Sequence, residues 1–103
     1  MSEAGTGVSA QARVVTQTPE RYIKQLVSHL ARKRTTTLVS PGHGIVAFDD
    51  GRCVATADPG VLVLTANADT AEALARIQDV VGRHLERFGQ RNELRVEWVV
   101  GAG

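Results

Sequence analysis

Three histidines and one cysteine are the side chains of this 103-residue chain best suited to chemistry: His29, His43, His84 and Cys53. An imidazole ligates a metal or moves a proton, and a thiolate ligates or attacks. His29 stands three residues after Leu26 and His84 seven after Ile77. Each therefore borders the apolar stripe of a different helix, and the two are expected to meet over a sheet. With His43 from the Gly42-His43-Gly44 loop, or with Cys53, they would complete a three-ligand metal site or an acid-base pair. Neither helix carries two ligands at helical spacing, so every ligand would come from a distant segment, and histidines beside a core face are usually structural. Lys24, His43 and Cys53 join His29 and His84 as candidate ligand-binding residues, His29 and His84 as candidates for a metal. Cys53 lies in an alternating stretch where a thiol commonly serves as a small buried hydrophobe. To act as a nucleophile it would need a base, and His43 is the nearest in sequence. No catalytic set emerges, and no cofactor is implied.

Composition narrows the setting. The chain is 43% hydrophobic and 22% charged, which suits one folded domain rather than a disordered tail. Twelve Lys and Arg against eleven Asp and Glu leave a net charge of +1, without the basic excess of a phosphate-tracking protein. Aromatic residues are 4% of the chain, too few for a base-stacking platform, so nucleic-acid binding is not expected. One cysteine excludes an internal disulfide. No stretch is apolar for the roughly 18 to 20 residues that a membrane helix needs, and no secretory signal is present, which points to the cytoplasm. Arg32-Lys33-Arg34 reads as the solvated basic end of a helix. Gly42-His43-Gly44 joins strand to strand and is too short to cradle a phosphate, and Asp49-Asp50-Gly51 lacks the later acidic ligands of a calcium loop.

The elements that position these residues follow from periodicity. Residues 1–9 read as a flexible leader, 10–100 as a single domain and 101–103 as a frayed tail. Residues 12–16 are β-branched and predict a strand. Thr18 as N-cap, Pro19 at the first helical position and Glu20 in the first turn open a helix running to about Arg32, with Ile23, Leu26, Val27 and Leu30 inward. Residues 35–39, 45–48, 52–57 and 61–66 read as four antiparallel strands, joined by a loop at Pro41-Gly42, a primed turn at Asp50-Gly51 and a type II turn at Pro59-Gly60. Asp69 and Glu72 predict a capping box for a second helix, with Leu74, Ile77, Val81, Leu85 and Phe88 inward, Glu72/Arg76 and Asp79/Arg83 as ion pairs, and Gly89 as its terminator. Residues 94–100 alternate as a last half-buried strand. The order is β-α-β-β-β-β-α-β. It predicts an α+β fold in two layers, a mostly antiparallel sheet with both helices on one face.

With the segments placed, the chain resembles the bacterial family called domain of unknown function 2218. The resemblance rests on residues 21–29 (RYIKQLVSH), on residues 71–88 (AEALARIQDVVGRHLERF), and on Gly44, Phe48 and Gly51-Arg52-Cys53 between them. Such domains stand free or are fused to siderophore-interacting flavoproteins, so the resemblance implies a binding or accessory module in siderophore-iron handling, with such a flavoprotein as a partner. Val27 and Leu30 stand where a cysteine and an aromatic are expected in many relatives. Two alternatives remain open: a small enzyme using a histidine or thiolate at the helix-sheet boundary, and a structural homodimer formed by adding a strand at a sheet edge.

Overall fold

The computed structural model describes residues 7–101; the first six positions of the expected leader and the last two of the expected tail lie outside them. The elements are β1 (Val8–Val15), α1 (Pro19–Leu30), β2 (Thr35–Ser40), β3 (His43–Phe48), β4 (Gly51–Asp58), β5 (Val61–Ala68), α2 (Ala71–Phe88), a 3-10 turn (Gln90–Asn92) and β6 (Trp98–Val100). Six antiparallel strands form one sheet in the order β2-β3-β4-β5-β1-β6. The fold is α+β, as the order of elements predicts.

Strand alternation decides which face is covered. Ala10, Ala12 and Val14 of β1, Val46 and Phe48 of β3, Cys53 and Ala55 of β4, and Leu62, Leu64, Ala66 and Ala68 of β5 turn inward. Both helices pack on that face, α1 over β2, β3 and β4 and α2 over β4, β5 and β1. Ile23, Leu26, Leu74, Ile77, Val81 and Leu85 complete the core from the helix side, each contributing about 1.5 to 3 kcal/mol when fully buried. Tyr22, absent from the expected stripe, is also buried and accepts a hydrogen bond from Asn92 Nδ2 at 3.3 Å. Val27 packs only partly buried against the core.

Several local expectations are corrected. The first strand starts at Val8, inside the expected leader, because Val8 and Ser9 pair with Ala68 and Asn67. Thr18 occupies the N-cap position of α1 but its side chain caps nothing; its N–H instead donates to Thr16 Oγ1 at 3.1 Å. Helix α1 ends at Leu30, and residues 31–33 form a turn. Helix α2 is capped by Thr70, whose Oγ1 accepts from the Ala73 N–H at 3.1 Å. Asp69 donates its N–H to the Asp50 carbonyl at 3.0 Å, so it still belongs to the end of the sheet when the helix begins. In the β3-β4 hairpin Phe48 pairs with Gly51. The turn residues are therefore Asp49-Asp50, neither has positive φ, and the turn is not primed. Asp58 pairs with Val61 around Pro59-Gly60, with Gly60 at φ +72°, as a type II turn requires. Arg83 meets Asp79 at 3.4 Å, but Arg76 reaches Asp50 at 3.2 Å rather than Glu72. The last strand shrinks to three residues because the Val96 N–H donates to Glu86 Oε2 at 3.0 Å instead of joining a ladder.

Candidate functional site

Helices α1 and α2 lie side by side on the sheet and bring His29 and His84 together. Their ring centroids are 5.0 Å apart, tilted by 56°. Phe88, one turn after His84, completes the cluster, with its ring 5.5 Å from His29 edge-on and 6.2 Å from His84. His29 is exposed and His84 and Phe88 are half-buried. The phase of each helix causes this: Leu26 and Leu30 point into the core beside His29, and Val81 and Leu85 do so beside His84.

His84 Nδ1 lies 2.6 Å from the carbonyl oxygen of Val80. A carbonyl only accepts, so Nδ1 carries the proton and the bond orients the ring, leaving Nε2 free for a ligand. His84 and Val80 wall two adjoining clefts of about 320 Å³ each. One is lined further by His29, Leu30, Arg32, Lys33 and Arg34; the other by Asp79, Arg83 and Arg87. Five of the twelve Lys and Arg side chains thus border this pair of clefts, against Asp79 alone, which is paired with Arg83. Arg34 is held by stacking on Phe48, its guanidinium carbon 4.5 Å from the ring centroid, an interaction of about 0.5 to 1 kcal/mol at an exposed site.

The remaining candidates stand elsewhere. Cys53 is buried beneath the helices, and loss of hydration pushes its thiol up to about 12. His43 sits on β3 next to Gly44, whose neighbours are Ile23 and Val27 on the helix side, so strand alternation puts His43 on the uncovered face of the sheet, away from Cys53. Lys24 is exposed on α1 and borders neither cleft. Among the described residues no group of three or more His, Cys, Asp and Glu side chains is placed to hold a metal ion. A larger, shallow depression of about 620 Å³ runs from Gln17 to Arg21 and Asp58 to Gly60, but it contains no imidazole or thiol.

Two parts of the site escape sequence reading. Phe88 reads as core by its spacing, and its place four residues after His84 on one helix face is the signal that links them. The gathering of Arg32, Lys33 and Arg34 with Arg83 and Arg87 has no local signature, since it depends on how two helices pack.

The family described as "Uncharacterized protein conserved in bacteria (DUF2218)" matches residues 11–99. The chain is similar to the solved structure titled "NMR structure of PA4090 from Pseudomonas aeruginosa", with 28% identity and a TM-score of 0.74 over 88% of this chain and 94% of that one. No curated protein matches. Among the described residues no helix is long and apolar enough to cross a membrane.

Proposed function

We propose that this chain, which belongs to the DUF2218 family of uncharacterised bacterial proteins, is a non-enzymatic binding module that takes a small anionic ligand at the His29-His84 clefts. The supporting observation is the pairing of two imidazoles from different helices inside a ring of Arg32, Lys33, Arg34, Arg83 and Arg87. Guanidinium groups present several donors in a fixed fork that matches carboxylate and phosphate oxygens, and the imidazole nitrogens add directional contacts at the centre. The donor set does not fit a metal ion held by the protein alone. It offers two imidazoles and no third ligand among the described residues, and the surrounding cations repel a bare cation. No hydroxyl or thiol lines the clefts, and their one carboxylate, Asp79, is paired with Arg83, so an enzymatic reading lacks a Ser, Thr or Cys nucleophile there.

An anionic iron chelate is the ligand that joins this chemistry to the family resemblance. Its carboxylate, catecholate or hydroxamate oxygens would meet the basic rim while the metal arrives with its own ligands. The module would then present or receive such a chelate beside a siderophore-interacting flavoprotein, in the cytoplasm. The test is a titration read on the imidazole resonances of His29 and His84, using citrate, ferric citrate and zinc chloride in turn. Citrate and its ferric complex are expected to shift or broaden both rings, and Arg87→Gln with Arg34→Gln to weaken the response at least tenfold. Saturation of both imidazoles by one equivalent of zinc, with no response to either citrate form, would overturn the proposal.

A further inference from the structure

His84 is tied to its own helix through one ring nitrogen, and that bond decides what the other nitrogen can do. Nδ1 donates to the Val80 carbonyl at 2.6 Å. Nε2, across the ring, therefore faces away from the backbone of α2, on the wall that His84 shares between the two clefts. The neutral imidazole has a single N–H, and here it is used on Nδ1. Nε2 then carries a lone pair and can only accept a hydrogen bond. An ionised carboxylate also only accepts, so its oxygen makes no hydrogen bond to this atom. The charged neighbours have the opposite character. Arg32, Lys33 and Arg34 approach from the end of α1 and Arg83 and Arg87 from α2, and all five only donate. Asp79 is engaged by Arg83 at 3.4 Å, and the His29 ring lies 5.0 Å from that of His84.

We infer that the ligand of these clefts is a hydroxycarboxylate, whose carboxylate takes the basic donors and whose hydroxyl donates to His84 Nε2. This inference rests on the anion-binding reading of the site and makes His84 the residue that selects among anions. A ring of donors alone holds any anion of suitable size. One fixed acceptor inside that ring singles out an anion that also has a proton to donate. An analogue lacking the hydroxyl sets a carboxylate oxygen or a carbon against the lone pair, which leaves Nε2 unpaired as well as removing one hydrogen bond.

Hydrogen phosphate also combines an O–H with ionised oxygens, and the cleft wall selects against it. Leu30 and Val80 both line the cleft that contains His29. Leu30 belongs to the buried core and Val80 packs partly buried against it. A carbon skeleton covers such an apolar wall, whereas an inorganic oxyanion gains nothing from it.

Malate and succinate are dicarboxylates of the same chain length and charge that differ by one hydroxyl. Calorimetric titration of the full chain at pH 8, above the ordinary imidazole range of about 6.5, is expected to give malate the higher affinity. The preference should be about tenfold, with inorganic phosphate bound no more tightly than succinate. His84→Phe keeps a ring beside His29 and Phe88 but removes the acceptor. It should bring malate and succinate within about twofold of each other, with thermal unfolding confirming that the variant is folded. Long-range proton-nitrogen spectra of the wild-type chain test the tautomer without any variant: Nδ1 should be protonated, Nε2 not, and malate should move the Nε2 resonance further than succinate at equal occupancy. Equal affinities for the two dicarboxylates, phosphate as tight as malate, a preference that survives His84→Phe, or a proton on Nε2 of the free chain at pH 8 would overturn the inference while leaving the anion site standing. Binding of none of the three anions would remove the anion site itself and the inference with it.

Discussion

Raising the pH from 8 to 10.5 is expected to remove about 2 kcal/mol of stability from the wild-type chain that a Cys53→Ala variant does not lose. The Cys53 thiol is neutral when protonated. Burial raises its pKa from 9.0 to about 12, with desolvation the larger cause and a backbone hydrogen bond from Thr65 opposing it. The folded value lies above the unfolded one, so the folded chain keeps a proton that the unfolded chain releases. Stability is intact below pH 9 and falls as the pH rises from 9 toward 12, at about 1.36 kcal/mol per unit. Between pH 8 and 10.5 about one and a half units of that slope are traversed. Urea denaturation of both chains at each pH, followed by the fluorescence of half-buried Trp98, measures the difference, because everything but residue 53 is common to the two chains. Iodoacetamide should modify the native thiol only as fast as the chain opens. Equal losses in the two chains, or alkylation at the rate of a free thiol, would refute the reasoning and return Cys53 to the set of available nucleophiles.

Thr70→Ala is expected to cost about 1 kcal/mol because it removes the acceptor for the Ala73 N–H, whereas Asp69→Ala should cost much less; equal losses in chemical denaturation would move the cap to Asp69. Gly51→Ala should be among the most damaging single changes, about 3 kcal/mol. Its methyl would collide with the Asn67 carbonyl oxygen and come within 2.7 Å of Ile77 Cδ1 and 2.9 Å of Ala68 Cα. Gly60→Ala meets only open space, so its cost is the left-handed strain at φ +72°, about 1 to 2 kcal/mol, and Gly60→Asn should recover most of the loss in the same melt. Leu85→Ala, at a fully buried position, should cost about 2 to 5 kcal/mol while leaving the circular dichroism spectrum of the folded state unchanged.

The readable parts of the fold are those whose cause is local. Leu74, Ile77, Val81 and Leu85 recur at the helical period, and all four are buried. Pro59-Gly60 carries its turn chemistry in two residues. Where a partner distant in sequence decides, local reading gives way. Asp69 has better cap chemistry than its surroundings allow, because its backbone is taken by Asp50 from another hairpin. Gly51 invites a primed turn, yet its bare Cα is needed where β4 passes Asn67 and Ala68. Residues 94–97 alternate like a strand, but Glu86 takes the N–H of Val96 before it can pair. The order of strands follows from none of these local signals, since β1 is first in the chain and lies between β5 and β6 in the sheet.

The same division runs through the site. His29 and His84 were legible because helical phase alone puts each at the margin of a buried stripe, and two such margins on one sheet face converge. The basic rim was not, because each of its charges already has a sufficient local reason. Arg32, Lys33 and Arg34 follow a helix C-terminus, where cations are favoured, and Arg83 pairs with Asp79 along one helix. Only the packing of α1 against α2 turns these separate solutions into one field. A net charge of +1 spread over 103 residues predicts almost no attraction for an anion, yet five cations around two small clefts act within the roughly 10 Å over which 0.1 M salt screens a charge. Affinity for citrate should therefore fall steeply between low and physiological salt, whereas a ligand held by the imidazoles alone would be nearly indifferent to it.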